Sequence, residues 1–269
     1  MNARVFFRLV GLGFVEVLRH PLARVVLALA LVAFGVYTYA MLDELRALQD
    51  SPHARLAAEL LLQKRFAVLA RFLWGLQLLL AVPLFAGERF TGALDTFWVR
   101  PVPRGLFLLA RTLGRSLYFP LFVALYLLGA AFALVQHRLP LAPLAGPLVR
   151  HGIFDWLAVL VGMLLLLAFA CLSSSRFLHA LYWLLAYFAH LQLQVFVAHP
   201  SPNPLVDKAA SVLAAVWAAV VAGASEPWLD TYYFGPWHLV RLLLSLAVGL
   251  ATNAMLVWYL AQRAEVFHD

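Results

Sequence analysis

An all-α fold, a polytopic membrane protein with six transmembrane helices, is what this sequence predicts, on three observations. Hydrophobic residues make up 64% of the chain and charged residues only 12%, about half the charge of an average soluble domain. So few charges cannot coat a globule of this length in water, and the apolar surplus needs lipid around it. The apolar residues also come in long blocks and not in the short alternation of a membrane β-strand. Finally, the basic residues fall in short connections between those blocks, where they set topology and meet anionic headgroups. The net charge of +7 is therefore read as a topology signal and not as a nucleic-acid surface.

Residues 1–20 predict an amphipathic elbow helix. At 100° per residue Arg4, Arg8, Glu16 and Arg19 share an arc of about 120°, while Phe6, Leu9 and Val17 lie outside it. Such a helix lies in the membrane interface and turns into the bilayer at Pro21. It does not read as a signal peptide, because Glu16 and Arg19 interrupt the apolar run and the next block is long enough to span. A helix crosses a bilayer with about 20 apolar residues. Six blocks qualify, over residues 22–42, 66–85, 113–135, 154–172, 178–197 and 239–261. The connection 43–65 is polar and helical in part, and Pro120 is placed to kink the third span. A further apolar stretch, 209–224, is short for a span. It is flanked by Pro202, Pro204 and Pro227 and followed by Trp228, Tyr232, Tyr233, Phe234 and Trp237. Aromatic residues favour the interface, so this stretch predicts a re-entrant or interfacial helix between spans five and six.

Six spans put both termini on one side. The basic residues place that side in the cytoplasm by eleven to nine: Arg4, Arg8, Arg19, Arg24, Arg89, Arg100, Arg104, Arg111, Arg115, Arg176 and Arg263 fall there, against Arg46, Arg55, Lys64, Arg65, Arg71, Arg138, Arg150, Lys208 and Arg241 outside, where eight of the 13 acids also lie. The expected location is the cell (inner or plasma) membrane, the chain forming a single transmembrane domain over 1–269. Cys171, the one cysteine, has no disulfide partner within the chain and is read as a small core residue. The nine histidines form no His-Glu-x-x-His pattern and no close cluster, so no metal site is predicted. No catalytic group is assigned: His151 and Asp155 share a helical spacing, but no nucleophile stands beside them.

The informative motif runs over residues 87–104, between the second and third spans. Phe90, Leu94 and Phe97 recur at helical spacing as an apolar face, and Glu88, Gly92 and Asp95 form a polar stripe. Pro101 and Pro103 end the helix. The prediction is a short amphipathic helix at the inner membrane surface. It presents Glu88, Arg89, Asp95, Arg100 and Arg104 to the cytoplasm.

This stretch resembles the ABC type-2 permease family. There a Glu-Arg or Glu-Lys pair follows the second span, then a Gly-x-Leu-like step, then a proline turn ending in arginine. Glu88-Arg89, Gly92-Ala93-Leu94 and Arg100-Pro101-Val102-Pro103-Arg104 follow that order; Pro103 departs from it, standing where the family often has serine. The resemblance covers the whole chain, including the elbow helix and the re-entrant segment. It implies that 87–104 is the cytoplasmic coupling region. Glu88, Arg89, Phe90, Gly92, Leu94, Asp95, Phe97, Arg100, Pro101 and Arg104 would engage a separate ATP-binding subunit. It further implies two ATPase subunits per complex, a second permease chain as a homo- or heterodimer, and possible accessory proteins. This chain has no Gly-x-x-x-x-Gly-Lys-Ser/Thr loop. It is thus expected to be no enzyme and to bind no cofactor itself, with ATP and magnesium held by the partner.

Polar residues within a bilayer usually face the bundle interior or a cavity. His190 and Gln194, one turn apart in the fifth span, and Ser245, Thr252 and Asn253 in the sixth are therefore candidates to line a translocation path. Interhelical hydrogen bonding is the competing reading. The competing function is a polytopic membrane enzyme or assembly factor that acts without an ATPase. A secondary transporter fits less well, because paired broken helices and buried carboxylates are not in view. Membrane lipid is an expected partner and nucleic acid is not. The substrate is not written in the sequence.

Overall fold

The structure is a computed structural model and describes residues 3–48, 61, 81, 84–85, 103–138, 142–173, 175–198, 202–217 and 236–263. The described segments are helical. They are α1 (Ala3–Arg19), α2 (Pro21–Leu48), α3 (Arg104–Ser116), α4 (Tyr118–Gln136), α5 (Ala142–Leu172), α6 (Arg176–Ala198), α7 (Pro204–Trp217) and α8 (Pro236–Arg263). Among the described residues, four stretches are long and apolar enough to cross a membrane: Pro21–Ala47, Arg104–Gln136, Gly152–Leu172 and Leu243–Gln262. The all-helical class and a membrane-compatible composition thus agree with the sequence reading. The predicted second span, 66–85, lies outside the described residues except for Ala81, Leu84 and Phe85. The predicted fifth span falls within α6, which is not among the four apolar stretches.

Two helices begin before the apolar blocks predicted from sequence, although the apolar stretch Gly152–Leu172 coincides with the predicted span 154–172. Helix α5 begins at Ala142, well before the predicted residue 154. Pro143 falls in its first turn, where the N–H it lacks has no intrahelical acceptor, and Pro147 costs the helix one internal bond without ending it. Helix α7 begins at Pro204, five residues before the predicted 209. Proline is favoured at the first helical position, and the Asn203 side chain accepts a hydrogen bond from the Leu205 N–H at 3.0 Å, as a cap does. Asp207 in the first turn complements the helix dipole. At 1.5 Å per residue α7 is about 21 Å long, short of the roughly 30 Å hydrocarbon core. Residues 218–224 of the predicted interfacial stretch lie outside the described residues.

The third predicted span is one end of a longer rod. Helices α3 and α4 meet at a turn at Leu117, whose N–H bonds the Gly114 carbonyl at 3.2 Å. The cause is Pro120: it has no N–H to offer the Ser116 carbonyl, and its ring crowds that oxygen. Helix α4 packs parallel to α2. The Tyr118 hydroxyl donates to the Ala23 carbonyl at 2.6 Å, and Gly129 lies against Phe34 and Thr38. Helix α5 is the most deeply enclosed of the four apolar stretches, with Val159, Val161, Met163, Leu166 and Ala168 nearly inaccessible. Helices α2 and α8 are peripheral, and large apolar side chains such as Val32, Val36 and Leu244 stand exposed along them. An exposed apolar belt of this kind suits lipid better than water.

Candidate functional site

Helix α3 links the predicted coupling region to the bundle, because Arg104 is at once the last residue of that region and the first residue of α3. The remaining predicted coupling residues, Glu88, Arg89, Phe90, Gly92, Leu94, Asp95, Phe97, Arg100 and Pro101, lie outside the described residues. Arg104 itself is half-buried. Helix α3 is amphipathic by sequence, yet nine of its residues are buried, including Arg111, Thr112, Arg115 and Ser116. It packs against α1 most extensively, and also against α8, α5 and α4. A short helix that touches four others is a hub.

The contact with α1 is unusually close. A Cβ on Gly114 would stand 2.0 Å from the Val10 carbonyl oxygen, and one on Gly13 would stand 2.4 Å from the Arg111 carbonyl oxygen. Only hydrogen at both positions lets the two backbones approach this far. One turn beyond Gly13, Glu16 reaches across to α3. Its carboxylate accepts from Arg111 at one oxygen and from Arg115 at the other, at 3.1 Å. The two arginines are i, i+4 neighbours and therefore share a face of α3. Their side chains are 5% and 2% exposed and that of Glu16 is 25% exposed. The Arg111 guanidinium also lies over the Phe107 ring, 5.1 Å from its centre, and that of Arg115 over the Phe85 ring, at 4.9 Å. The charges are thus held between an acid and aromatic faces, the arrangement that makes burial of arginine tolerable.

This geometry alters the expectation for α1. The helical wheel places Glu16 with Arg4, Arg8 and Arg19 on one arc. In the structure Glu16 marks the border of that arc and turns inward to α3, while the three arginines remain exposed. The sequence reading treated Arg111 and Arg115 as topology signals only. The signal that could have found them was two arginines at i, i+4 beside a glycine at the head of an apolar block, with one acid and a glycine three residues apart in α1.

At the corner where α1 meets α2, the ring of His20 is depressed below its ordinary pKa of 6.5, first by burial, then by the charges of Arg115 and Arg176. In α6, His179 is buried and its Nε2 bonds the Ser173 carbonyl.

The polar candidates whose side chains are described, Asn253, Thr252 and Ser245, differ in exposure. Asn253 is buried and donates from Nδ2 to the Val161 carbonyl of α5 at 3.1 Å. It belongs to a stripe on α8 that includes Leu246, Val257 and Ala261, the stripe facing the core. Thr252 lies on the exposed side of α8 and Ser245 is half-buried. His190 and Gln194 lie one turn apart in α6, and their side chains fall outside the described ones. Trp156 of α5 donates to the Ser116 hydroxyl at 3.0 Å, and Gly105 leaves room for the Trp258 ring, 2.5 Å from where a Cβ would stand. These contacts tie α3 to α5 and α8. Cys171 is of intermediate exposure and packs at the edge of the core. Among the described residues no three His, Cys, Asp or Glu side chains gather as a metal site.

The fold and site together define a helical protein that has, among the described residues, four stretches fit to span a bilayer, organised around a buried, ion-paired hub helix. No family model matches the chain, and no curated protein is similar to it.

Proposed function

We propose that this chain is the membrane-embedded permease subunit of an ATP-driven exporter of the ABC type-2 class. In this reading it has six spans with both termini in the cytoplasm, and residues 87–104 couple it to a separate ATPase subunit. The observation that carries the reading is the position of α3. A push delivered to the segment that ends at Arg104 enters a helix packed against α1, α4, α5 and α8. Its attachment to α1 is an ion-paired contact with backbones touching. Packed interiors transmit displacement and do not absorb it, so α3 would move its neighbours together. The motif supplies the grip: Glu88, Arg89, Asp95, Arg100 and Arg104 as charged anchors, and Phe90, Leu94 and Phe97 as the face held to the bundle. The ATPase would act as a pair, and a second permease chain would complete the path.

The test has two arms. In a Cys171→Ser background, Arg89→Cys and Arg104→Cys should react with a membrane-impermeant thiol reagent only after the cells are opened. The full chain should co-purify with an ATPase subunit, and Glu88→Lys with Asp95→Lys should abolish that association while the protein stays in the membrane. Labelling of Arg89→Cys in intact cells, or activity that survives scrambling of 88–104, would overturn the assignment.

A further inference from the structure

We propose that the outer face of α1 and the corner where it turns into α2 form a docking surface for anionic phospholipid headgroups, with Arg8, Arg19, Arg24 and Arg176 as its cationic contacts. All four are exposed, and none is paired with a carboxylate among the described residues. They come from three elements, α1, α2 and the start of α6. Arg19 and Arg24 flank His20 in sequence, Arg8 lies three turns back along the same face of α1, and the charge of Arg176 bears on the His20 ring. The described acids do not offset this charge. Glu16 is engaged with Arg111 and Arg115. Asp43 lies toward the other end of α2, about 28 Å from Arg24 at 1.5 Å per residue, with Glu44 beside it. Asp207 follows the far end of α6.

The apolar surroundings choose a membrane over a protein partner. On α1, Arg8 and Arg19 run along the face turned away from α3, bordered on one edge by Phe7 and Leu18, which are exposed themselves. On α2, Val25, Leu29, Val32 and Val36 are all more than half exposed and recur at helical spacing, forming an apolar stripe that starts beside Arg24. The arginines therefore collect where a lipid-facing stripe begins, which is headgroup depth for a span that crosses the bilayer. Basic residues at that depth attract anionic lipid, by about fivefold each near the surface, and the attraction weakens with salt.

The experiment uses the full-length protein in detergent micelles with equal amounts of phosphatidylglycerol and phosphatidylcholine, and counts retained lipids by native mass spectrometry. The wild type should retain phosphatidylglycerol in preference. Arg19→Gln or Arg176→Gln should each reduce the preference about fivefold, the quadruple glutamine variant should approach parity, and Arg19→Lys should keep it. Arg138→Gln, at the far end of α4, should leave it unchanged. Inorganic phosphate should displace no more lipid than chloride at matched ionic strength. Equal retention of the two lipids by the wild type, a quadruple variant that keeps its preference, or specific displacement by phosphate would each overturn the proposal.

Discussion

Glu16 and Arg115 stand 99 positions apart in the sequence, and their side chains meet at 3.1 Å. With Arg111 on the other carboxylate oxygen, this contact holds α1 against the head of the α3–α4 rod. Removing one partner of a buried ion pair costs about 3–5 kcal/mol, because the remaining charge stays desolvated. Glu16 keeps a quarter of its side-chain exposure, which puts the cost of Glu16→Gln near the lower end, about 3 kcal/mol. Thermal unfolding in detergent should show a clear loss for Glu16→Gln and a smaller one for Glu16→Asp. An unchanged midpoint for Glu16→Gln would mean that the pair does not hold the two helices together.

The glycines of the same contact make an independent prediction. Gly114→Ala drives a methyl into the Val10 carbonyl, and Gly13→Ala drives one into the Arg111 carbonyl. Both neighbours are backbone and cannot rotate away, so the helices must separate. A cost of about 1–3 kcal/mol is expected for each. Gly11 and Gly35 have open space where a Cβ would stand. Gly11→Ala and Gly35→Ala should therefore stabilise slightly, by up to about 1 kcal/mol, since alanine is the better helix former. The four substitutions, compared by the same unfolding assay, should divide two and two.

What the sequence made legible was local. Span-length apolar blocks predict helices because length and hydrophobicity are properties of contiguous residues, and α2, α4, α6 and α8 fall where those blocks lie. Helices α5 and α7 begin earlier than the apolar blocks at 154 and 209, because a helix runs on through polar residues, and through proline in its first turn, that a count of apolar residues leaves out. The Glu16 contact was out of reach for another reason. It depends on α1 docking onto α3, and neither segment encodes the other's position. Asn253 shows the same limit: composition marks it as a polar residue in an apolar helix, but only the packing of α8 on α5 places it against the Val161 carbonyl.

His20 predicts a pH effect with a definite sign. Burial and the charges of Arg115 and Arg176 lower its pKa in the folded protein below 6.5. The unfolded chain therefore takes up the proton first as pH falls. Above about 6.5 the ring is neutral in both states and contributes nothing. Below it, protonation favours the unfolded state until the folded pKa is also passed. Unfolding midpoints between pH 7.5 and 5 should fall for the wild type, and fall less for His20→Gln. Parallel curves for the two proteins would show that this ring does not titrate differently on folding.

Asn253 separates a packing role from a path role. Its amide donates to a backbone carbonyl of the neighbouring helix while fully buried, the pattern of an interhelical tie. Such ties are worth about 0.6 kcal/mol on average in membrane bundles. Asn253→Leu keeps the volume and removes the donor, so it should lower stability by about 1 kcal/mol or less. A cysteine at 253 should resist a water-soluble thiol reagent, again in a Cys171→Ser background. A residue lining an aqueous path would behave the other way, with a reactive cysteine and no loss of stability in the leucine variant. Measuring both properties on the same two variants decides between the roles, since burial against α5 and contact with water are mutually exclusive for one side chain.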